Sequence, residues 1–116
     1  MRRDYRASLE DIEYCMDRIR TLTIGLTFEE FTQNLMKQEA ILRNLEIVGE
    51  AVKNIPEEAR QKYPDIDWVR ISGLRDIIIH QYFGIDLEII WDILTTKIPV
   101  FDAQVRHIIQ EESEEP

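Results

Sequence analysis

The longest uninterrupted helical pattern in the chain, residues 28–55, limits its fold more than any other feature. Along this stretch, one set of positions recurs every three or four residues, which is the spacing of one face of an α-helix. This face comprises Leu35, Gln38, Ile41, Leu45, Val48, Val52 and Ile55. Thr27 and Glu30 form the sequence of a capping box at the start of the pattern, and Pro56 stops it. We expect a long helix here, with an irregularity near Asn34.

Segments on either side show the same helical spacing. Residues 4–22 place apolar side chains on one face and charged side chains on the other, up to a break at Gly25. Pro56 suits the first turn of a short helix, where its missing N–H costs nothing. The chain therefore alternates helices with short connections.

The second half of the chain contains three more helix signals. Asp67 is an N-cap for a helix that we expect to continue to Gly84, and Asp86 is an N-cap for the next one. Pro99 starts or kinks a last helix that ends near Gln110. The pattern predicts an all-α fold, a bundle of four to five helices.

Composition supports one globular helical domain. The 116 residues include only 4 glycines and 4 prolines, and 44% are hydrophobic. We expect a helical domain over residues 1–110 and an acidic, disordered tail over residues 111–116. Five aromatic residues are expected in the core: Trp68, Trp91, Phe28, Phe31 and Phe101. Cys15 is the single cysteine, which excludes an internal disulfide and favours a buried, reduced thiol.

Charge and hydropathy narrow the class of function. The net charge of −9 argues against a general nucleic-acid coat, because nonspecific binding depends on Lys and Arg that neutralise phosphates. Of the four segments 1–28, 29–58, 59–85 and 86–116, only residues 59–85 have a net positive charge, with four basic and three acidic side chains. No apolar run reaches membrane-spanning length and the N-terminus lacks a signal-peptide pattern, so a cytoplasmic protein is expected.

The segment from Gly73 to Asp86 carries the residues best suited to chemistry. It contains Arg75, Asp76, His80 and Tyr82, separated by three consecutive isoleucines. Arginine offers a permanently charged donor fork and histidine exchanges a proton near neutral pH. Together they suit the handling of a phosphodiester. No His, Cys or carboxylate cluster has the spacing of a metal site, so neither metal nor cofactor is expected.

Helix geometry separates the two key residues of this segment. Five residues turn an ideal helix by about 500°, which leaves Arg75 and His80 roughly 140° apart. Either the helix distorts near His80, or a symmetric dimer combines Arg75 and His80 from two chains. On residue chemistry alone, an arginine and a histidine near a helix end more often form a surface ion pair and a C-terminal cap than a catalytic site.

Other polar residues admit two interpretations. Arg43, Glu46 and Glu50 share one helical face, which is usually a solvated surface but also suits the lining of a cleft. Asp76 is equally explained as an ion-pair partner of Arg75. His107 has no comparable neighbours and is interpreted as a surface residue.

The motif resembles that of the HEPN superfamily, in which four to six residues separate an arginine from a histidine and a polar residue directly follows the arginine. The form Arg75-x4-His80-x-Tyr82 resembles the HepT-like branch more closely. Three further runs agree: residues 43–51 (RNLEIVGEA), Tyr63-Pro64 followed by Trp68, and residues 82–86 (YFGID) followed by Trp91. The resemblance covers residues 4–110.

This resemblance implies an all-α, HEPN-like homodimer that acts as the toxin of a type VII-like toxin–antitoxin pair. Its activity would be metal-independent cleavage of RNA by an endoribonuclease. Arg75 and His80 correspond to the catalytic pair, Asp76 to a supporting residue, and Tyr82 to the tyrosine that a minimal nucleotidyltransferase antitoxin modifies with AMP. A competing hypothesis is a non-catalytic, nucleotide-binding helical partner of that nucleotidyltransferase.

Overall fold

Helices make up all of the regular structure in the part of the chain that the structure describes. The structure is a computed structural model, and it describes residues 3–80 and 86–113, with side chains for residues 5–78 and 86–113. In chain order, the elements are α1 (Arg3–Thr23), α2 (Phe28–Gln33), α3 (Leu35–Lys53), α4 (Glu57–Lys62), α5 (Trp68–Ser72), α6 (Leu74–His80), α7 (Leu87–Asp92), a π-helical turn (Ile93–Lys97) and α8 (Ile98–Ser113). These ranges contain no β-strand, and the predicted all-α class is confirmed.

Helices α1 and α3 form the centre of the fold. Helix α8 packs on α1, while α5 and α6 lie against α3. The fully enclosed side chains of the core include Leu9, Ile12, Met16, Phe31, Ile41, Leu45, Ile78, Phe101 and Ile108. Of the five aromatic residues expected in the core, Trp68, Phe31 and Phe101 are buried, and Phe28 and Trp91 are partly buried against it. Because α6 packs on α3, helix α3 supports the segment that carries Arg75.

No helix of the described residues is both long and apolar enough to cross a membrane.

Side-chain caps begin the helices where the sequence indicates. The Thr27 hydroxyl accepts a hydrogen bond from the Glu30 N–H, and the Glu30 carboxylate accepts one from the Thr27 N–H, which completes the predicted capping box. Asp67 caps α5 and Asp86 caps α7. These caps satisfy backbone donors that the first helical turn leaves without partners.

The expected irregularity at Asn34 is a complete break between α2 and α3. The Asn34 side chain accepts a hydrogen bond from the Lys37 N–H and so starts α3. Gln38 bridges the break, because its Nε2 donates to the Phe31 carbonyl at 2.8 Å. The prediction that Leu35 lies in the buried stripe is wrong, since 65% of it is exposed. It lies six residues before Ile41, which places the two roughly 120° apart around a helix.

The predicted helix that begins at Trp68 is interrupted at Gly73. The Gly73 N–H bonds to the carbonyls of Val69 and Arg70, which ends α5, and the Gly73 carbonyl accepts from the Ile77 N–H, which begins α6. Glycine favours such an interruption because it is a poor helix former. Gly84, where this helix was expected to end, lies outside the described residues.

Pro99 follows a local widening of the helix and does not break it. Helices α7 and α8 join through the π turn, in which the Ile98 N–H donates to the Ile93 carbonyl. In a regular α-helix the Pro99 ring would clash with the carbonyl of Thr95, four residues earlier. The wider π turn just before it removes that conflict.

Helix α8 extends three residues beyond the expected boundary at residue 110. Glu112 is only 4% exposed, and its carboxylate accepts a hydrogen bond of 3.2 Å from the Tyr63 hydroxyl. Lys62 Nζ lies 3.7 Å from the same carboxylate. These contacts keep residues 111–113 in the helix instead of the predicted tail. Residues 114–116 lie outside the described part of the chain.

Candidate active site

Arg75 is the second residue of α6, at the point where the interruption at Gly73 brings the chain against α3. Its Nε lies 3.5 Å from Oε2 of Glu50 on α3, and 45% of its side chain is exposed. A carboxylate thus holds one edge of the guanidinium. The exposed remainder of the side chain is accessible to a ligand.

Gly49 allows α6 to lie this close to α3. A Cβ atom on Gly49 would be 3.1 Å from the Arg75 backbone nitrogen and 3.3 Å from the Ile71 carbonyl oxygen. Both distances are shorter than ordinary van der Waals contact. The backbone of Arg75 therefore rests directly on the glycine face of α3, one residue before Glu50.

A groove of about 270 Å³ lies beside Arg75 on the surface of α3. We call it the Arg75 groove. Arg75, Arg43, Glu46 and Glu50 all line it, together with Asp11, Ile47, Ala51 and Asn54. The structure thus brings the arginine of the motif to the same surface as the three residues proposed from the sequence as cleft-lining.

Asp11 is the member of this lining that sequence spacing does not identify. It belongs to α1, 32 positions before the first α3 residue of the groove, and it is one of several exposed acidic residues on that helix. Only the packing of α1 on α3 places it here. An acidic side chain on an exposed helical face carries no signal of that packing.

The charged pairs of the groove are held weakly. Arg43 Nη1 lies 3.6 Å from Oε2 of Glu46, and 73% of the Arg43 side chain is exposed. The Arg75–Glu50 pair is similarly open, at 45% and 56% exposed. Exposed pairs of this kind contribute only about 0–1 kcal/mol, so either arginine can exchange its carboxylate for a phosphate at low cost.

The remaining residues of the motif are only partly described. Asp76 is exposed in the first turn of α6. His80 is the last residue of α6, but its side chain lies outside the described residues. Tyr82 lies entirely outside them. Because α6 is α-helical from Leu74 to His80, its backbone keeps Arg75 and His80 about 140° apart around the helix axis.

Two other reactive side chains lie apart from the Arg75 groove. His107 is a surface residue, as predicted, with 70% of its side chain exposed and Nε2 3.2 Å from the Glu111 carboxylate. Cys15 is buried, also as predicted, and burial raises the pKa of its thiol. Neither lines the groove beside Arg75.

Comparison with known proteins identifies the family. The family model described as Ribonuclease HepT-like matches residues 12–108, a range that includes α3, the whole motif and the groove residues on α3 and α6. The chain belongs to the HepT-like ribonuclease family. This match confirms the resemblance found from the motif and its three companion runs, and with it the predicted class of enzyme, a ribonuclease.

Several HepT-like relatives align over most of their own length. A protein of Methanocaldococcus jannaschii named Putative RNase is 44% identical over 110 residues, which are 95% of this chain and 91% of that relative. A second protein of that name, from Caldanaerobacter subterraneus subsp. tengcongensis, is 40% identical over 104 residues, 90% of this chain and 89% of the relative. Probable ribonuclease HepT of Thermococcus cleftensis is 38% identical over 99 residues, 85% of this chain and 90% of the relative. No solved structure matches.

Proposed function

We propose that this chain is the endoribonuclease toxin of a type VII-like toxin–antitoxin pair, and that it acts in the cytoplasm as a homodimer. Arg75 and His80 are its catalytic residues, and Asp76 supports them. A minimal nucleotidyltransferase antitoxin neutralises it by attaching AMP to Tyr82. The observation that carries this proposal is the placement of Arg75, the arginine of the family motif, in an open groove on α3 where a weak ion pair holds it.

The proposed reaction is an internal transesterification. The 2′-oxygen of a ribose attacks the adjacent phosphorus while the bond from phosphorus to the 5′-oxygen of the next nucleotide breaks, which leaves a 2′,3′-cyclic phosphate. His80 accepts the proton of the 2′-hydroxyl or donates one to the departing 5′-oxygen, and either role requires a pKa near neutrality. Arg75 stabilises the negative charge that grows on the non-bridging oxygens. Its half-exposed guanidinium reaches such an anion by releasing Glu50.

This route uses a nucleophile that the substrate itself supplies, so it requires no metal-bound water. The residues whose side chains are described include no group of three or more His, Cys, Asp or Glu positioned to hold a metal ion. We propose a metal-independent cleavage on the ground that the ribose hydroxyl of the substrate is itself the nucleophile.

The geometry of α6 supports the proposed homodimer. Its α-helical backbone from Leu74 to His80 directs Arg75 and His80 to different sides of the helix. Two copies of α6 related by a two-fold axis would present Arg75 of one chain beside His80 of the other. We propose that each catalytic pair is shared in this way between the two chains.

Modification of Tyr82 provides the off switch in this proposal. Tyr82 follows His80 by two residues in the sequence, and we propose that a group on its hydroxyl reaches the shared cleft. AMP adds bulk and a negatively charged phosphate, which repels the phosphates of RNA by the same electrostatics as phosphorylation.

The acidic balance of the Arg75 groove favours one competing function. Asp11, Glu46 and Glu50 outnumber Arg43 and Arg75 in its lining. A non-catalytic helical partner that binds nucleotide and completes a nucleotidyltransferase site could function with this excess of acidic residues. A nuclease has to bind RNA phosphates despite the repulsion from these carboxylates. Growth on expression separates the two functions, because a ribonuclease toxin arrests cells that lack its partner and a helper protein does not.

The test is inducible expression without the antitoxin. We expect the native chain to arrest growth, and Arg75→Ala and His80→Ala each to abolish the arrest. Arg70→Ala is the matched control, because Arg70 is an exposed arginine on α5 that lies outside the Arg75 groove. Circular dichroism of each purified variant checks that it is folded. Full toxicity of a folded Arg75→Ala or His80→Ala variant would refute the catalytic assignment.

A further inference from the structure

A second cavity adjoins the Arg75 groove. It has a volume of about 300 Å³ and lies between α1 and α3. Asp11, Arg43 and Ile47 line both cavities, so the two lie side by side along α1 and α3, and we call them together the furrow. The far end of the furrow is lined by Tyr14 and Arg18 on α1, with Cys15 and Asn44 beside them. We call this end the Tyr14 cavity.

Tyr14 and Arg18 form an aromatic and cationic pair at this end. Tyr14 is 62% exposed although it is a large aromatic residue. Arg18 Nη1 donates a hydrogen bond of 3.2 Å to the Tyr14 hydroxyl, and the Arg18 guanidinium carbon lies 5.6 Å from the centre of the Tyr14 ring. These contacts orient the ring before any ligand arrives, which lowers the entropic cost of stacking on it.

The charges of the whole furrow differ from those of the chain. Arg18 adds a third arginine to Arg43 and Arg75, and these three balance the three carboxylates of Asp11, Glu46 and Glu50. Within the part of the chain whose side chains are described, Arg18 contacts Tyr14 and no carboxylate lies within ion-pair distance of it. Although the net charge of the chain is −9, the charged residues that line the furrow sum to zero. The Arg18 guanidinium at its far end can bind a phosphate without first releasing a carboxylate.

The furrow has the length of a short stretch of nucleic acid. Arg43 and Glu50, the partner of Arg75, are seven residues apart on α3, which is a rise of about 10 Å. A flexible single strand can therefore contact both ends of the furrow with neighbouring nucleotides. Single-stranded RNA is recognised by unstacked bases on aromatic side chains combined with Arg contacts to the backbone.

We infer that the Tyr14 cavity is a nucleotide subsite for single-stranded RNA, on the same furrow as Arg75 and a short distance along the strand from the bond that is cleaved there. The Tyr14 ring stacks on one base, on the face that Arg18 leaves open, and Arg18 and Arg43 contact the neighbouring phosphates. The inference rests on the proposed ribonuclease function. It adds the path that the substrate strand follows from Arg75 along the furrow. It predicts that the enzyme prefers single strands to duplexes, because a paired base cannot reach the ring.

The test measures binding of a short, fluorescein-labelled, single-stranded 2′-O-methyl RNA, which lacks the attacking hydroxyl and stays intact. We expect Tyr14→Ala to weaken binding about 5- to 150-fold, the range for loss of one stacked base. Tyr14→Phe keeps the ring and should bind within about twofold of the native chain. Arg18→Gln should lower the slope of log K against log salt concentration by about 0.7, the value for one phosphate contact on a single strand.

Arg70→Gln is the control for charge, because it removes one exposed arginine outside the furrow. If Tyr14→Ala and Arg18→Gln bind RNA no more weakly than Arg70→Gln, while the native chain binds and arrests growth, the subsite is refuted and the ribonuclease function stands. If the native chain binds no RNA and does not arrest growth, both are refuted. Equal binding of the matching RNA duplex would also overturn the subsite.

Discussion

Gly49→Ala tests whether the close contact of α3 and α6 positions Arg75, the proposed catalytic arginine. The new Cβ would lie 3.1 Å from the Arg75 nitrogen, 3.3 Å from the Ile71 oxygen and 3.5 Å from the Leu74 Cβ. Because carbon contacts are favourable from about 3.5 Å, the start of α6 has to retreat by roughly 0.4 Å. The obstacle is backbone, which cannot rotate away as a flexible side chain can.

Two opposing effects set the stability of this variant. Alanine in place of glycine inside a helix gains about 0.8–1.0 kcal/mol from propensity. Overpacking against a rigid neighbour costs about 1–3 kcal/mol. We therefore expect the free energy of unfolding to fall by about 0–2 kcal/mol, as measured by urea denaturation.

The effect on RNA cleavage should exceed the effect on stability. Misplacement of a reacting group by about 1 Å can cost 10²-fold in rate, so a shift of roughly 0.4 Å is expected to slow cleavage about tenfold. Ile108→Val is the matched control for stability, because it removes one methyl group from a buried side chain of α8, outside the α3–α6 contact, at a cost of about 0.5–1.5 kcal/mol. A Gly49→Ala chain that is about 1 kcal/mol more stable and cleaves RNA at the native rate would refute the reasoning.

Three further outcomes are expected. Tyr82→Phe removes the acceptor oxygen but keeps the ring, so it should fold and resist neutralisation; intact-mass spectrometry after co-expression with the nucleotidyltransferase should show added AMP on the native chain only. Leu45→Ala removes a fully buried side chain of α3 and should lower the free energy of unfolding by about 2–5 kcal/mol in urea. Cleavage should survive EDTA, and loss of activity that a divalent ion restores would contradict the metal-independent reaction.

The helical class and most helix boundaries are predictable because they depend on neighbours in sequence. Thr27, Asp67 and Asp86 cap the helices that the sequence assigns to them, since each cap bonds to a backbone N–H within three residues. The break between α2 and α3 at Asn34 is where such reasoning falls short, because helical spacing alone does not show that a polar residue will start a new helix. The exposure of Leu35 does follow from spacing, since Leu35 lies roughly 120° from Ile41 within the same helix.

The sequence predicts which residues of the candidate site share a face of α3, but not which residues of other helices lie beside them. Arg43, Glu46 and Glu50 share a face by helical spacing, so the sequence presents them as a group. Asp11 and Tyr14 reach the same surface only because α1 packs on α3, a contact between residues far apart in the chain. The extension of α8 to Ser113 has the same origin, because buried Glu112 depends on Tyr63. Acidic composition at the end of a chain indicates a solvated tail and contains no information about that partner.

The Arg75–Glu50 pair gives the groove a threshold for ligands. An arginine without a partner would attract any anion in the cell, including chloride and free phosphate. Here a ligand has to displace a carboxylate that is tethered within 3.5 Å and therefore present at a high local concentration. A polyanion that is held at several points along the surface meets that requirement, whereas a small ion that binds at one point competes poorly. Because an exposed pair contributes only about 0–1 kcal/mol, this competition lowers the affinity of an anion that binds at Arg75 alone by at most about fivefold.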